Sequence, residues 1–581
     1  MKQQRRSYLI TRSLKKYLLA SIITMAVANL NTMIDGILMG NILGPRALSA
    51  INLCLPVINA ILALDTLLAA GAVMVAARAL GQMDRKRLYE VFTLSSLSVW
   101  AAGILLLCTS APLSRALSRL LSGEETLVPL CEKYIRVLLS GSIVIMYANS
   151  LSMFLDVCGH PKTVTAGMSL SVIVNILLDC VLVKLIGMDI GGAGWATVAG
   201  STASTLFLSL FTIRKKELLR LSFRLKGLFR RLGEIVAKGV AQMIGMIAVT
   251  VLQIICNTFI QNAQGENGMF VLSVGYSLLG ISSMVASGMC TAFTAIGGVL
   301  MGQKDHQGLR ILFRQGMTVC LLTGVFFMLI SILLPAPLAS LFGADTEELL
   351  ELAAASIPLI GTFMLAVAIL LPFSTHYQVL GRFTLSSVTN LSIIAAVLVS
   401  CLTVSGLMPK ERIWLAFPLS CVLGLLTLGI AAFVSRAFSG ENVSFPDLIP
   451  RTEDPLERFD LSVACTQNGF EEGMERLWAY LEQSIPKKTA GRVGHCVEEL
   501  LLNIVLYSGG DGSRYVDILI LKDGDGVTAL LRDNGTPFDT SSCAAGSKKN
   551  GLRMAHHFCP RIEYSYTFGQ NMTLMKWPPE E

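Results

Sequence analysis

The chain has 581 residues, of which 53% are hydrophobic and only 15% are charged. A soluble protein would carry about 25% charged residues, so this composition excludes an ordinary soluble protein. The net charge of +7 does not indicate a nucleic-acid partner, because the basic residues lie in short stretches between long apolar runs. The 14 cysteines are mostly isolated inside apolar runs and predict neither disulfides nor a zinc site.

Twelve apolar runs before residue 437 are long enough to cross a bilayer, which takes about 20 residues. They lie near 15–39, 47–77, 89–111, 132–155, 163–186, 193–213, 239–262, 269–299, 311–334, 352–378, 384–406 and 413–436. The first run carries Asn29, Asn31 and Asp35 and is followed by further spans, so it predicts an uncleaved helix rather than a signal peptide.

Lys and Arg residues concentrate in one set of loops, which includes the N-terminus and the basic connector after the sixth span. Such loops remain in the cytoplasm. We therefore expect a multi-pass protein of the cell membrane, surrounded by membrane lipids, with both termini in the cytoplasm.

Two short sequence features of the first half recur in the second half at nearly the same distance along the chain. Gly81-Gln82-Met83-Asp84 follows the second span, and Gly302-Gln303-Lys304-Asp305 follows the eighth, 221 residues further on. Gly159 after the fourth span is matched by Gly381 after the tenth, 222 residues further on. The spacing predicts a membrane all-α fold of twelve transmembrane helices in two six-helix parallel repeats, with a substrate bound between them.

The fifth span contains a carboxylate that is expensive to bury. Asn175 and Asp179 lie four residues apart in the run 163–185, so on a helix they share one face. A carboxylate at membrane depth costs at least about 2.5 kcal/mol, which predicts a functional site. The alternative is that Asp179 lies near a membrane edge, because Lys184 and Gly187 follow closely.

Several ordered motifs resemble those of multidrug and toxic compound extrusion (MATE) transporters, over about residues 10–437. They are Met33-Ile34-Asp35-Gly36 running into Gly40-Asn41-Ile42-Leu43-Gly44-Pro45 and Leu48-Ser49-Ala50, then Ala77-Arg78-Ala79-Leu80-Gly81-Gln82-Met83-Asp84, then Asn175-Ile176-Leu177-Leu178-Asp179 and Gly191-Gly192-Ala193-Gly194-Trp195-Ala196-Thr197. The resemblance implies an N-lobe at 1–213, a cytoplasmic connector at 214–238 and a C-lobe at 239–437. It also implies export of a cationic, amphipathic small molecule, such as a drug or metabolite, coupled to Na⁺ or H⁺.

The resemblance further implies a cation site in the N-lobe. Its residues are Asp35, Asn175, Asp179 and Thr197. The residue types agree with this, because two carboxylates close together in a low dielectric cannot both stay ionised without a bound cation. The amide and hydroxyl oxygens suit a hard cation. The same oxygens could serve Na⁺ or H⁺.

Other polar residues inside the spans leave alternatives open. The second half lacks acids in its seventh and tenth spans and offers instead Gln253, Asn257, His376 and Gln378. His376 is either a proton relay or a packed histidine. Asp65 in the second span either lines the cavity, where it would favour a cationic substrate, or pairs locally.

The sequence changes character after the last span. Residues 438–456 are polar and contain three prolines, which predicts a linker. Residues 457–581 have ordinary globular composition. We predict strands at 459–463, 515–522, 527–532, 562–568 and 572–576, and helices at 472–484, 493–507 and 552–558. Helices gathered with antiparallel strands predict an α/β sandwich.

Three short elements of this domain could bind a nucleotide. Glu499 and Asn503 share one face of a helix, where the amide oxygen can bind Mg²⁺ and the carboxylate can act as a base. Asp533 can accept a hydrogen bond from an adenine amino group, and Gly535 allows close approach of the backbone. Gly551 at a helix N-terminus can offer N–H groups to phosphates.

In this order, over about residues 459–577, these elements resemble the GHKL (Bergerat-type) ATP-binding fold, and the domain is most similar to anti-sigma-factor serine kinases. The segment Tyr564-Ser565-Tyr566 with Gly569-Gln570-Asn571 also fits that group. The resemblance implies ATP and Mg²⁺ as cofactors, Glu499 as general base, Asn503 as Mg²⁺ ligand and Asp533 as adenine contact. Lys548 and Lys549 either reach the phosphates or are surface lysines.

Three functions follow as hypotheses. The first is an ion-coupled exporter whose cytoplasmic domain binds ATP and regulates transport, or docks a regulator protein. The second is a membrane-tethered serine/threonine kinase, or ATP-sensing signalling protein, with a transporter-like sensor. The third is a flippase for a lipid-linked substrate.

Overall fold

The computed structural model describes residues 8–43, 45–121, 125, 127–215, 218–222, 227–344, 346–440, 442–450, 457–507, 514–541 and 550–579. They form two compact units. The membrane unit comprises Tyr17–Lys304 and Phe313–Ile449, and the C-terminal unit comprises Met1–Lys16, Asp305–Leu312 and Pro450–Glu581. Two short segments that the sequence assigns to the transporter lobes, 1–16 and 305–312, therefore group with the C-terminal domain.

The first half of the chain is helical from its first described residue. Its helices are α1 (Tyr8–Leu43), α2 (Pro45–Gly81), α3 (Arg85–Cys108), α4 (Ser110–Leu121), α5 (Val128–Val157), α6 (Pro161–Leu178) and α7 (Ile190–Arg214). A π-helical turn, Asp179–Leu185, continues α6 directly.

The second half repeats the same series of long helices. They are α8 (Leu228–Ala292), α9 (Gly298–Gly302), α10 (His306–Leu333), α11 (Pro335–Leu341), α12 (Glu347–Leu380), α13 (Phe383–Leu407) and α14 (Ala416–Ser439). Ten helices in the described part of the chain are long and apolar enough to cross a membrane. One of them is interrupted at Gly265, whose φ of 60° is not helical, and this break separates the two stretches predicted as the seventh and eighth spans. The total of twelve spans stays a prediction.

Two short helices, α4 and α11, were not predicted. α4 follows the third long helix of the first half, and α11 follows α10, which is also third when the two parts of α8 on either side of Gly265 are counted separately. Their positions therefore agree with an internal duplication. α4 is amphipathic: Leu113 and Leu117 pack on the core of the first half, while Leu120 is 80% exposed. A helix of 12 or 7 residues is too short to appear as a span, which is why hydropathy alone missed both.

Glycines bring the two halves of the membrane unit into backbone contact. A Cβ on Gly71 of α2 would lie 2.0 Å from the Ile235 carbonyl oxygen of α8, and one on Gly239 would lie 1.9 Å from that of Leu67. At Gly81, the first residue of the repeated motif, an added Cβ would lie 2.2 Å from the Val299 carbonyl oxygen. These distances leave no room for any side chain, so the halves are closed against each other here.

The segment predicted as a linker is partly buried. Val443, Leu448 and Ile449 are all fully buried within the membrane unit. The Tyr377 hydroxyl of α12 donates to the Pro446 carbonyl oxygen at 3.0 Å. Three apolar residues among prolines and polar residues have no periodicity, so the sequence did not reveal this packing.

The C-terminal unit contains one antiparallel sheet in the order β1-β2-β3-β5-β4. Its elements are β1 (Arg458–Ala464), α15 (Gln467–Ser484), α16 (Lys487–Tyr507), β2 (Tyr515–Asp523), β3 (Gly526–Asp533), α17 (Asn550–Phe558), β4 (Arg561–Thr567) and β5 (Gln570–Trp577). The three helices pack on one face of the sheet, around a core that includes Phe459, Leu477, Val497, Ile518 and Met575.

All five predicted strands are confirmed, with bounds that differ by three residues or fewer. α15 and α16 begin five and six residues earlier than predicted. The reason is local: the first turn of α15 is polar and is fixed by Thr466, whose hydroxyl accepts from the Gly469 N–H at 3.2 Å. The prediction relied on the spacing of apolar residues, and a single capping threonine does not change that spacing, so the helix start was predicted too late.

Candidate functional site

The polar pair of α6 faces the protein interior. Asn175 is 3% exposed and Asp179 is 1% exposed, whereas Ile173 and Leu177 on the opposite face are 54% and 60% exposed. An α-helix separates these faces by its period of 3.6 residues. Asp179 therefore faces the protein interior, which supports a functional site, and its position relative to the membrane edge stays a prediction.

The local backbone around the pair is unusual in two ways. The helix changes from α to π geometry at Asp179, and π-helical turns are frequent at functional sites. Beside it, Gly200 of α7 lies so close to α6 that an added Cβ would be 2.6 Å from the Ser171 carbonyl oxygen and 3.2 Å from Asn175 Cβ. A glycine is needed here because α7 contacts the backbone of α6 directly.

Asp35 of α1 lies against Asn175. We assign the Asn175 amide with its nitrogen toward Asp35 Oδ1 (2.8 Å) and Asn31 Oδ1 (3.0 Å), because its oxygen then accepts from the Thr197 N–H at 3.2 Å. Asn31, one turn before Asp35, donates from Nδ2 to Asp35 Oδ2 at 3.1 Å. Both oxygens of Asp35 are therefore held by amide groups.

Asp179 completes the site with an oxygen that no side chain satisfies. Its Oδ1 is buried and has no hydrogen-bond partner among the residues that the structure describes. Asp179 and Asp35 are close enough to repel each other when both are ionised, and the Tyr134 ring lies near both. The structure thus brings together Asp35, Asn175, Asp179 and Thr197, and adds Asn31 and Tyr134.

This arrangement can bind one small cation. Two carboxyl groups in an apolar surrounding stabilise a bound proton or metal cation, because either removes the repulsion between them. Neutral amide groups donate to Asp35 from their nitrogens and hold its geometry without adding charge. The Thr197 hydroxyl donates to the Ala193 carbonyl oxygen at 3.1 Å, so its lone pairs remain available as acceptors.

Asp65 of α2 is a separate buried acid. It has no exposed surface, and its Oδ2 accepts from Asn149 Nδ2 of α5 at 2.6 Å. The geometry favours the local-pairing alternative over a cavity-lining carboxylate. Its other oxygen, Oδ1, has no hydrogen-bond partner in the described part of the chain.

The polar residues of the second half pair with their neighbours. The Tyr276 hydroxyl donates to Asn257 Oδ1 at 3.1 Å. His376 is buried, stacks on Phe313 with ring centroids 4.0 Å apart, and has Nε2 2.9 Å from the Asp447 carbonyl oxygen. Gln378 donates to the Ser386 hydroxyl at 2.9 Å. His376 is therefore packed against the segment that follows α14, which favours the packed-histidine alternative.

A cavity of about 260 Å³ opens in the C-terminal unit between the sheet and α16. Its walls combine apolar and polar groups from every part of the domain. They include Leu500, Asn503, Ile504, Arg514, Leu531, Asp533, Gly535, Phe538, Leu552, Asn571 and Thr573. A concave apolar pocket with a few convergent polar groups is typical of a small-molecule site.

Asp533, at the end of β3, is positioned by two hydrogen bonds. Its Oδ1 accepts from the Gly535 N–H at 2.7 Å and from Asn571 Nδ2 at 2.8 Å. A Cβ on Gly535 would lie 2.7 Å from Asp533 Oδ1, so the close turn requires glycine. Because these bonds occupy Oδ1, the second carboxylate oxygen can accept from a bound molecule.

Asn571 connects Asp533 to the rest of the cavity wall. Its Oδ1 accepts from the Tyr564 hydroxyl at 2.6 Å and from the Phe538 N–H at 3.2 Å. Burial raises the pKa of Tyr564 to about 12, so this hydroxyl remains a donor at neutral pH. Burial also raises the pKa of Asp533, and the bonds from Asn571 and Gly535 oppose that shift.

The other predicted nucleotide residues lie on α16 and α17. Asn503 lines the cavity and donates from Nδ2 to the Glu499 carbonyl oxygen at 2.7 Å, which leaves its amide oxygen free for a cation. Glu499 lies one turn earlier on α16 and is partly buried. Gly551 is in the first turn of α17, whereas Lys548 and Lys549 lie outside the described residues.

Comparison with known proteins accounts for the membrane unit. A family model described as MatE matches the chain twice, over residues 20–181 and 242–403. The two matches begin 222 residues apart, which is the spacing of the repeated motifs. The chain belongs to the MatE family.

Two curated proteins from staphylococci are similar to this chain. The multidrug export protein MepA of Staphylococcus aureus (strain NCTC 8325 / PS 47) is 24% identical over 296 residues, and MepA of Staphylococcus saprophyticus is 23% identical over the same length. Each alignment covers 50% of this chain. The chain spans 65% of the length of these relatives.

Solved MATE structures share the fold. An outward-facing multidrug resistance MATE transporter of the MOP superfamily has a TM-score of 0.68 at 20% identity, and a MOP superfamily transporter from Pyrococcus furiosus has 0.67 at 20%. Both comparisons cover 75% of this chain and 99% of the other. The fold class of two helical bundles is thereby that of the MATE transporters.

Sequence reasoning missed several residues of both sites. Asn31, Tyr134 and Asn149 are polar residues of kinds that occur in any membrane helix, and only their proximity to Asp35, Asp179 and Asp65 distinguishes them. Arg514 and Thr573 of the cavity are equally inconspicuous. One usable signal existed for Asn31, which lies four residues before Asp35 and so shares its helix face.

Proposed function

We propose that the membrane unit is an antiporter, driven by Na⁺ or H⁺, that exports cationic, amphipathic drugs or metabolites across the cell membrane, with both termini in the cytoplasm. The observation that carries this proposal is the carboxyl pair of half-buried Asp35 and buried Asp179, which lies in apolar helices beside the amide groups of Asn31 and Asn175. Membership of the MatE family supports it, as does the name of the staphylococcal relative, a multidrug export protein.

In this proposal, transport is coupled to the ion because the pair binds either the ion or the cationic substrate, but not both at once. A cation neutralises the pair, and its loss restores two repelling carboxylates that favour a different helix arrangement or a cationic substrate. The Asp179 oxygen without a partner is the natural position for the ion. Asn175 and Asn31 fix Asp35 in either state.

The test is transport of a fluorescent organic cation in proteoliposomes with an imposed Na⁺ or H⁺ gradient. We expect one gradient to drive uptake, and Asp35→Asn and Asp179→Asn to abolish the dependence on it. Asp189→Asn is the matched control, because Asp189 is an exposed acid in the loop that follows the same helix. Unchanged coupling in both site variants, or no response to either gradient, would refute the antiporter.

We propose further that the C-terminal domain is a GHKL-type ATP-binding domain that regulates transport. The cavity that contains Asp533, Asn571 and Asn503 supports this, because it offers a carboxylate for an amino group and an amide oxygen for Mg²⁺ on opposite walls. Apolar walls at Leu500 and Leu531 suit an adenine ring. A cytoplasmic regulator protein as partner remains part of the same proposal.

Nucleotide binding is measured by titrating the full-length protein with fluorescent ATP, with and without Mg²⁺. Asp533→Asn should weaken binding about tenfold or more, since it replaces an acceptor with a donor, and Asn503→Ala should remove the Mg²⁺ dependence. Asp525→Asn in the exposed β2–β3 turn is the control. Wild-type affinity in Asp533→Asn and Asn503→Ala would exclude the assignment.

A serine/threonine kinase is the second candidate, favoured by the position of Glu499 one helical turn from Asn503. In that case Glu499 would remove the proton from a protein hydroxyl during phosphoryl transfer. Phosphate transfer from Mg-ATP to a cytoplasmic protein that disappears in Glu499→Ala would decide for the kinase. ATP binding without transfer would leave the regulated exporter.

A further inference from the structure

The outer face of the C-terminal sheet, opposite its helices, is buried and carries charged and polar residues beside apolar ones such as Leu519 and Leu574. Alternation along the strands directs Phe459, Leu531 and Met575 to the helices and directs their neighbours to the outer face. The buried polar residues of the outer face are Asp460, Asp517, Arg532 and Gln570. Charged side chains are rarely buried unless they are paired, so this face has a partner.

One partner is Asp305, at the start of α10. Asp305 has no exposed surface, and its carboxylate accepts from Arg458 Nη2 at 3.0 Å and from Arg532 Nη2 at 2.7 Å. The side chains of the two arginines are only 8% and 3% exposed. Asp305 also accepts from the Gly308 N–H at 2.9 Å, so the same carboxylate begins α10 and binds the sheet.

The second partner is the first part of α1. Gln570 Nε2 donates to the Leu9 carbonyl oxygen at 3.0 Å and to the Ser13 hydroxyl at 2.8 Å. The Tyr8 and Tyr515 rings are 4.6 Å apart. The first part of α1 and the residue that begins α10 thus contact the same sheet.

Three of these contacts are made by residues that directly neighbour a residue of the cavity wall. Arg532 precedes Asp533, Gln570 precedes Asn571, and Tyr515 follows Arg514. Successive strand residues point to opposite faces. A molecule that moves Asp533 or Asn571 therefore acts on the same backbone that carries Arg532 and Gln570.

The internal duplication provides a comparison within the chain. Asp84 occupies the position in the first repeat that Asp305 occupies in the second. It caps α3 by accepting from the Arg87 N–H at 3.0 Å, as Asp305 caps α10. Capping is common to both copies, whereas the pair of buried arginines is found on Asp305.

We propose that Asp305 couples occupancy of the cavity to the first turns of α10, and that the bond from Arg532 carries this coupling. The proposal rests on the nucleotide-binding function proposed above. A ligand that orders the end of β3 stabilises the Arg532–Asp305 bond, and by reciprocity an α10 that moves away weakens ligand binding.

The test is hydrogen–deuterium exchange of the full-length protein in detergent, with and without a non-hydrolysable ATP analogue. In the wild type the analogue should slow exchange in 305–312 about tenfold, a typical size for allosteric coupling. In Asp305→Asn the analogue should still bind, but its effect on 305–312 should fall below about twofold. Asp84→Asn makes the same change of charge at the equivalent cap of α3 and should leave the effect unchanged.

Three outcomes overturn the proposal. They are an undiminished effect in Asp305→Asn, an equal loss in Asp84→Asn, and an analogue that binds the wild type without slowing exchange in 305–312. Failure of the wild type to bind the analogue would refute the nucleotide function and this coupling together. If Asp305→Asn no longer binds the analogue, Arg532→Lys, which keeps the positive charge and loses the guanidinium group that donates to Asp305, replaces it with the same expectations.

Discussion

At the scale of single residues, the membrane unit stabilises its buried acids in two different ways. Asp65 receives a direct hydrogen bond from Asn149 at 2.6 Å. Asp179 faces a second carboxyl group and retains a buried oxygen without a partner among the described residues. Each of these acids has one buried oxygen without a partner among the described residues, but only Asp179 has a second carboxyl group beside it. Two adjacent carboxylates need a bound cation when both are ionised, whereas a single one does not.

Asp65→Asn should therefore retain gradient-driven transport within about twofold, because an asparagine can still accept from Asn149 and the net loss is of the order of one hydrogen bond, about 1 kcal/mol. Asp179→Asn in the same liposomes should lose the dependence on the gradient. The measurement is transport at two imposed ion gradients, with a melting curve in detergent for each variant. Loss of coupling in Asp65→Asn would place Asp65 in the ion path.

The raised pKa of Asp533 makes a prediction about pH. An ionised carboxylate can accept hydrogen bonds at both oxygens, so the second oxygen can accept from an amino group while Oδ1 is occupied. Burial raises the pKa of this carboxyl above its usual range. As pH falls, nucleotide affinity should decline earlier than for an exposed aspartate. Titrations of fluorescent ATP at a series of pH values test this, and Asp533→Asn should be weak with a flatter profile. A steep profile in that variant would assign the pH effect elsewhere.

The predictability of the site follows from the same chemistry. Asp35 and Asp179 were found from the sequence because a carboxylate in an apolar helix is costly wherever it lies. Asp305 and Arg532 were not, because both occur in polar segments where charged residues are ordinary. Their burial depends on packing between segments 227 residues apart, and no local sequence pattern predicts such a contact.

At the scale of elements, the contact between α6 and α7 determines the geometry of the proposed cation site. The sequence predicted both helices, but not the π-helical turn at Asp179 or the two short helices α4 and α11. A π turn contains one more residue than an α-helical turn, so it does not alter the apolar pattern of the helix before it. Hydrophobic period alone could not have located it.

Gly200→Ala should reduce both stability and transport. The new Cβ would lie 2.6 Å from a backbone oxygen of α6, so the helices must separate, at a cost of about 1–3 kcal/mol, and Asn175 moves with them. Gly191→Ala on the same helix is the control, since a Cβ there meets nothing within 4 Å. Thermal unfolding in detergent and transport in liposomes should distinguish the two variants. Equal behaviour would mean that α7 adjusts without affecting the site.

At the scale of the whole molecule, the two halves meet through paired glycines at one end. Gly81 and Gly302 are equivalent residues of the repeated motif, and each approaches the backbone of the other half within a distance that excludes a side chain. Transport between two halves requires that such a contact open and close. The backbone contact seen here is the closed arrangement of this end.

The double substitution Gly81→Ala with Gly302→Ala should disfavour that closed arrangement. Added Cβ atoms would lie 2.2 Å and 2.3 Å from the Val299 and Arg78 carbonyl oxygens, so closure costs about 1–3 kcal/mol more. Faster deuterium exchange in 77–81 and 298–302 should report the opening, with slower transport. Gly233→Ala, where space is open, is the control. Unchanged exchange in the double variant would show that another contact closes this end.

The repeated motif uses Asp84 and Asp305 unequally. Both aspartates occupy the same place in a duplicated unit, and both still cap a helix. The two arginines of the C-terminal sheet bind the second copy. The second copy of the motif thus keeps its helix cap while it holds an additional ion pair, so one aspartate performs two tasks.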